Sequence, residues 1–129
     1  GYMQEFQDGV LTSNPDGSNQ VVHGAIGAKY KDMGGAESAL GFPTSGENAV
    51  NGGFFQTFEK GSIYWSPKTG AHYILKSKIM DRWGQAGWEQ GEFGWPTSDY
   101  SEIAAGGLSQ EFQHGKISEV LGQVRTEKK

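Results

Sequence analysis

The sequence predicts a predominantly β, α+β fold built from tandem repeats of about 53 residues. The first observation is a block, residues 1–9 (GYMQEFQDG), that returns as residues 53–61 (GFFQTFEKG) and as residues 107–115 (GLSQEFQHG). The second is residues 40–45 (LGFPTS), which return 53 residues later as residues 93–98 (FGWPTS), between the offsets of 52 and 54 residues of the first block. Self-similarity at a fixed period of this length is typical of repeat architectures.

The repeated glycine divides the chain into copies. Residues 1–52 and 53–106 are two complete copies, and residues 107–117 are a partial third copy. We therefore predict one repeat domain over residues 1–117. Residues 118–129 follow no repeat, and we predict a C-terminal tail there, either a linker, a frayed end or a capping strand.

The first half of each copy has the period of β-strands. In the middle copy, residues 54–59 alternate between two faces, which predicts a strand. Residues 62–65 and 71–74 follow after turns that contain glycine, so they predict the second and third strands of a meander.

The next segment of each full copy has the period of a helix. Apolar side chains recur at helical spacing, as in one face of an amphipathic helix. The residues with this spacing are Val22, Ile26, Tyr30 and Met33 in the first copy and Leu75, Ile79, Trp83 and Ala86 in the second. Glycines that follow, at 34 and 35 and at 84 or 87, are expected to end the helices.

One such copy cannot bury its own apolar face, so neighbouring copies are expected to stack. We predict a propeller-like or pseudo-rotational arrangement, with a short linear stack as the alternative. The recurring aromatic residues, which are expected to fill the core, are Phe6, Phe58 and Phe112 on strands and Tyr30 and Trp83 on helices. The recurring glutamines Gln4, Gln56 and Gln110 are expected to bond backbone in adjacent loops.

Composition excludes several functional classes. The net charge of −4 gives no electrostatic reason to expect nucleic-acid binding. No run of eighteen apolar residues is present, so no membrane span is expected. Cysteine is absent, and the three histidines show no metal-ligand spacing, so neither a metal nor another cofactor is expected. No catalytic motif or opposed carboxylate pair stands out, so we expect no enzyme activity.

The motif Leu40-Gly41-Phe42-Pro43, with residues 53–58 and 61–72, resembles the LGFP repeat family. The resemblance covers the chain to about residue 117 and is most specific in the middle copy. It implies a secreted protein at the cell wall or cell surface of a mycolic-acid-containing actinobacterium. Such repeats accompany corynebacterial mycoloyltransferases and cell-wall hydrolases, and are thought to hold them to the wall.

The function implied by the resemblance is non-catalytic docking onto a cell-wall polysaccharide, with arabinogalactan the suspected ligand. The alternative is a protein–protein or assembly module of an envelope or phage structural protein, because exposed Trp and Tyr side chains also suit protein interfaces. The low number of copies leaves room for self-association through an incomplete repeat interface.

A sugar site needs aromatic faces for the ring and planar polar groups for the hydroxyls. The expected ligand-binding residues of these types are Tyr64, Trp65, His72 and Trp95, with Glu47 and Asp99 from the proline loops. Trp65 is replaced by Ser13 and Glu119 in the other copies, so the fold does not require it. Trp95 precedes a proline, as Phe42 does, and we expect both to act mainly as wedges.

Overall fold

The structure, a computed structural model, describes the backbone of all 129 residues and every side chain except that of Ala105. The described chain is mostly antiparallel β-structure with two α-helices. The strands are β1 Tyr2–Phe6, β2 Gly9–Ser13, β3 Asn19–His23, β4 Asn48–Val50, β5 Gly53–Phe58, β6 Gly61–Ser66, β7 Gly70–Leu75, β8 Ser101–Glu102, β9 Leu108–Phe112, β10 Gly115–Val120 and β11 Gln123–Lys128; the helices are α1 Gly24–Met33 and α2 Lys78–Gln85.

The chain forms two compact units, Gly1–Ala71 and His72–Lys129, which we call the first and the second unit. In the first unit, α1 packs against β2, β3 and β6. In the second unit, α2 packs against β10 and β11. Each helix therefore contacts at least one strand of the repeat that follows it in the sequence.

The strands form antiparallel meanders. The first sheet has the order β1-β2-β3, the third has the order β11-β10-β9-β8, and the second begins β4-β5-β6 and ends with β7 at the boundary between the units. The hairpins β1-β2, β5-β6 and β9-β10 each close with a phenylalanine opposite a glycine, as in the pair Phe58 and Gly61. Two residues lie between them, so the short turn sets the register of the hairpin.

Both helices begin later than the sequence predicts. Val22 lies in β3 and Leu75 in β7, so the predicted helical spacing extended one turn too far. Before α2, the Ser77 side chain accepts a hydrogen bond from the Met80 N–H at 3.2 Å, which fixes the start of the helix. The predicted stop of α1 is confirmed, because Gly34 has the left-handed φ of 108° that ends a helix.

Each unit has its own apolar core. The core of the first unit contains Val10, Val22, Ile26, Tyr30, Leu40, Phe58 and Ile63. The core of the second unit contains Ile74, Ile79, Trp83, Phe93, Phe112 and Ile117. The predicted core positions of Tyr30, Phe58, Trp83 and Phe112 are confirmed.

The predicted core position of Phe6 is wrong, because its side chain is 51% exposed while Phe58 is 0% exposed. Gln4 is exposed as well, unlike Gln56. The physical reason is that a loop and a helix cover the β5-β6 hairpin, whereas no such pair covers β1-β2 among the described residues.

The prediction of a predominantly β, α+β fold is confirmed. None of the three sheets closes on itself within the described backbone, so the propeller-like arrangement stays a prediction. Residues 118–129, for which a linker, a frayed end or a capping strand was expected, complete β10 and form β11. The strand β11 pairs with β10 from Gly115 to Val120.

Candidate functional site

In the first unit, residues 40–45 form a docking loop that binds the turn of the β5-β6 hairpin. The N–H groups of Glu59 and Lys60 donate hydrogen bonds to the carbonyls of Phe42 and Leu40, each at 2.9 Å. The Phe42 N–H in turn donates to Oε1 of Glu59 at 2.8 Å. The backbone of Phe42 therefore holds the loop on the hairpin, while the expected role of its ring as a wedge stays a prediction.

The helix α1 binds this docking loop through one aromatic side chain, that of Tyr30. The Tyr30 hydroxyl donates to the Gly41 carbonyl at 2.7 Å, and its ring stacks on Phe58 with centroids 4.8 Å apart. Burial, with the Glu59 carboxylate nearby, raises the pKa of Tyr30 well above its usual value. Gly41 has a φ of +77°, and a Cβ there would lie 2.5 Å from Oε1 of Glu59, so the loop requires glycine.

The second unit repeats this construction with residues 93–98 as its docking loop. Gln113 and His114 donate their N–H groups to the carbonyls of Trp95 and Phe93, each at 3.0 Å. The Trp95 N–H donates to Oε1 of Gln113 at 3.1 Å. Trp95 is 7% exposed, so this aromatic serves the docked loop rather than an open platform.

Trp83 takes the place of Tyr30 in the second unit. Its indole N–H donates to the Gly94 carbonyl at 3.0 Å, and its ring lies 5.2 Å from that of Phe112. A hydroxyl and an indole thus make equivalent bonds to glycine carbonyls at the same repeat position, Gly41 and Gly94. The two docking loops are a structural device of the repeat, and the aromatic side chains of the second loop, Phe93 and Trp95, are buried in it.

The repeated glutamines tie each strand to its docking loop. The Gln56 amide donates to the carbonyls of Ser45 and Val21 at 2.9 and 3.1 Å. The Gln110 amide makes the corresponding bonds to Ser98 and Tyr73, both at 2.9 Å. The predicted bonding of these two glutamines to backbone is confirmed.

The first unit contains a pocket, here called the Trp65 pocket, with a volume of about 230 Å³. Trp65 from β6 and Phe54 from β5 form one wall, with ring centroids 5.8 Å apart and planes 25° from parallel. Glu47 and His23 form the polar part of the lining, and their Oε2 and Nε2 atoms are 3.7 Å apart. The structure therefore brings two of the expected ligand residues, Trp65 and Glu47, into one depression.

The chemistry of the Trp65 pocket suits a small ring that carries hydroxyl groups. An indole face packs against the C–H face of such a ring, while a carboxylate and an imidazole bond its hydroxyls. The volume of about 230 Å³ is below the roughly 300–1,000 Å³ of pockets for drug-sized ligands, so it accommodates about one ring at a time.

Tyr64 does not join this pocket. Successive residues of a strand point to opposite faces, so Tyr64 and Trp65 diverge on β6. Tyr64 is 6% exposed and stacks on Phe55 at a centroid distance of 5.1 Å. Its ring is thus held in packing on the face away from Trp65.

His72 and Asp99 meet in the second unit. Nδ1 of His72 lies 3.3 Å from Oδ1 of Asp99, and the same oxygen accepts the N–H of Tyr73 at 3.3 Å. Burial, and secondly the Asp99 carboxylate, raise the pKa of Tyr73. Asp99 therefore connects its loop to β7, and the structure gives this pair no part in the lining of the Trp65 pocket.

Sequence reasoning missed Phe54 and His23 as pocket residues. Phe54 was identifiable, because the two-residue turn places Phe58 opposite Gly61 and hence Phe54 opposite Trp65. His23 carries no such signal: it ends β3, and its approach to Glu47 depends on the packing of distant segments.

Two further observations concern the described residues as a whole. No helix among them is long and apolar enough to cross a bilayer. Their His, Asp and Glu side chains form no group of three or more placed to hold a metal ion.

Comparison with known proteins identifies the repeat. A search of curated proteins finds no match. The model of the LGFP repeat matches the chain twice, over residues 1–38 and 40–91, which together make up most of its length. The second match contains the docking loop, the Trp65 pocket wall and the helix α2. The chain belongs to the LGFP repeat family.

Proposed function

We propose that this LGFP chain is a non-catalytic module that binds a cell-wall polysaccharide and holds a secreted protein to the actinobacterial envelope. The polysaccharide that the family resemblance favours is arabinogalactan or a related glycan. The observation that carries the proposal is the meeting of Trp65 and Glu47, with His23 and Phe54, in one pocket.

The Trp65 pocket offers binding groups rather than a catalytic pair. Glu47 is the single carboxylate among its lining residues, whereas glycoside hydrolysis uses two opposed carboxylates. Trp65 is half-buried, so one part of the indole is fixed by packing on Phe54 while another part is accessible. Stacking of one sugar ring, with hydrogen bonds to Glu47 and His23, leaves the glycan unmodified.

The direct test is sedimentation of the purified chain with isolated corynebacterial or mycobacterial cell walls, with and without soluble arabinogalactan. We expect binding that soluble arabinogalactan competes away and that Trp65→Ala weakens. Glu119→Ala is the matched control, because Glu119 occupies the position of Trp65 in the next copy. Binding that is insensitive to arabinogalactan and to Trp65→Ala would contradict the proposal.

A second candidate function is a protein–protein or assembly module. The observation in its favour is the exposure of Phe6 and Val21 on the first sheet, both 51% exposed. Apolar surface of this kind is typical of protein contacts. This candidate predicts that Phe6→Ser abolishes attachment to the envelope while Trp65→Ala leaves it unchanged.

A further inference from the structure

One face of the β1-β2-β3 sheet is exposed although its counterparts in the other copies are buried. We call it the open face, and it consists of Gln4, Phe6, Leu11 and Val21. All four side chains are exposed. Their counterparts one repeat later, Gln56, Phe58, Ile63 and Ile74, are each 0% exposed. The same sequence pattern is therefore used as core in one copy and as surface in another.

The strand β1 and its turn, beside the open face, carry the same kinds of groups that bind a docking loop on the β5-β6 and β9-β10 hairpins. By repeat position, the N–H groups of Gln7 and Asp8 and the carbonyl of Glu5 correspond to groups that bind the docking loops in both units. Gln7 is the same residue type as Gln113, whose side chain accepts the N–H of the aromatic residue before proline. Among the described residues, no hydrogen bond occupies these four groups of β1 and its turn.

The surface around Phe6 has space for an occupant. An apolar depression of about 280 Å³ is lined by Phe6, Leu11 and Val21. A wider one of about 620 Å³ lies beside it, lined by Gln7, Asp8 and Lys31 among others. In the first unit, the corresponding place on β5-β6 is filled by Tyr30 and the docking loop.

We propose that the open face binds the helix and docking loop of a further LGFP repeat unit. The occupant is a helix with one aromatic residue, followed about ten residues later by the pattern Leu or Phe, Gly, aromatic, Pro, Thr, Ser. Its loop carbonyls accept the N–H groups of Gln7 and Asp8, its pre-proline N–H donates to the Gln7 side chain, and its helix aromatic stacks on Phe6. This inference is independent of the glycan site, since no residue of the open face stacks a sugar in it.

An intact second copy of this chain does not supply the occupant. Both of its docking loops are already bound, through Phe42 on the β5-β6 hairpin and through Trp95 on the β9-β10 hairpin. Releasing either loop exposes a fully buried phenylalanine, Phe58 or Phe112. The occupant is therefore a repeat unit whose own docking loop is unbound.

The test adds such a unit to the full chain. A duplicate of residues 24–52 is joined before Gly1, so that its loop has the spacing to Phe6 that the native loop has to Phe58. Amide hydrogen exchange is then measured at Gln7 and Asp8. We expect exchange there to slow by at least about tenfold, the equivalent of about 1.4 kcal/mol. In a control extension, the duplicated tyrosine and pre-proline phenylalanine are replaced by alanine, and the slowing should be lost.

Two outcomes overturn the proposal, provided that the amides of Glu59 and Lys60 stay protected and so report an intact native loop. In the first, Gln7 and Asp8 exchange as fast in the extended chain as in the original chain. In the second, the original chain already protects them in a concentration-dependent dimer, and the open face is then a contact between copies. A Phe6→Ser variant of the original chain separates these outcomes, because it abolishes such a dimer.

Discussion

Tyr30 in the first unit and Trp83 in the second unit hold the same place in the repeat and do the same work. Each packs its ring against a strand phenylalanine and donates a hydrogen bond to the glycine carbonyl of a docking loop. The surfaces of the copies differ. Glu119 occupies the position of Trp65 in the next copy, and Tyr100 occupies the position of Glu47. The comparison shows that the buried contact between the helix aromatic and the docking loop is the same in both units, whereas the surface residues differ.

The same comparison separates structure from function among the aromatic residues. Phe58 and Phe112, which occupy equivalent positions, are each buried in their unit. Trp65 has no aromatic counterpart and lies in a pocket with Glu47. Trp65 thus departs from the repeat pattern and lines a pocket, which is why the proposed glycan site is centred on it.

The largest expected effect comes from truncating the two buried strand phenylalanines that contact Tyr30 and Trp83. Phe58→Ala and Phe112→Ala should each lower the free energy of unfolding of their unit by about 3–5 kcal/mol, because each leaves a cavity beside a buried aromatic ring. Phe6→Ala should cost less than about 1 kcal/mol, because Phe6 is half-exposed. Urea denaturation of the three variants measures the difference. Equal losses in all three would refute the asymmetry between the copies.

A smaller effect is expected from the Trp65 pocket. Trp65→Ala should weaken binding to cell walls about tenfold, or about 1.4 kcal/mol, because it removes the stacking face. The loss of its cross-strand contact with Phe54 should cost roughly 0.2–1 kcal/mol of stability, so the fold should persist. Sedimentation isotherms and melting curves of this variant and of Glu119→Ala report the two quantities separately. An equal loss of binding in Glu119→Ala would mean that the site is not confined to the Trp65 pocket.

The smallest effect at neutral pH concerns the Tyr30 hydroxyl, which should make the stability of the first unit depend on alkaline pH. The folded pKa of Tyr30 is raised, so its stabilising contribution is complete below the unfolded value of about 10 and is lost as the pH rises through the folded pKa. Trp83 does not titrate, so the second unit lacks this dependence at the equivalent position. Unfolding measured from pH 7 to 11 should show a steeper alkaline loss in the wild type than in Tyr30→Phe. The raised pKa values of Tyr73 and Tyr100 are common to both proteins and cancel. Parallel curves would contradict the role of the Tyr30 hydroxyl.

Much of the repeat could be predicted from the sequence, because short-range patterns determine it. The strand alternation of residues 54–59 and the glycine at Gly34 each gave a correct element or boundary. The start of α2 was misplaced because Leu75 continues the apolar spacing, whereas the Ser77 cap decides where the helix begins. Phe6 was misplaced because burial depends on what covers a strand, which the strand's own pattern does not contain.

The residues of the candidate site were less predictable for a related reason. Tyr64 and Trp65 are adjacent in sequence, yet strand geometry sends them to opposite faces, which the residue types alone do not show. His72 and Asp99 were chosen for their chemistry, and the structure pairs them with each other. The approach of Glu47 to His23 depends on the packing of β3 against a distant loop, so only the three-dimensional structure reveals it.

The most direct test of the account follows the indole N–H signals of the four tryptophans by NMR while soluble arabinogalactan is added. Substitution of each tryptophan by phenylalanine assigns the signals. Trp83 is a buried internal reference, and Trp88, which is 42% exposed and does not line the pocket, reports unspecific contact with aromatic surface. We expect a dose-dependent shift of the Trp65 signal, with the Trp83 and Trp88 signals unchanged. An unchanged Trp65 signal at glycan concentrations that compete with cell walls, or a shift of Trp88 in its place, would contradict the Trp65 pocket as the binding site.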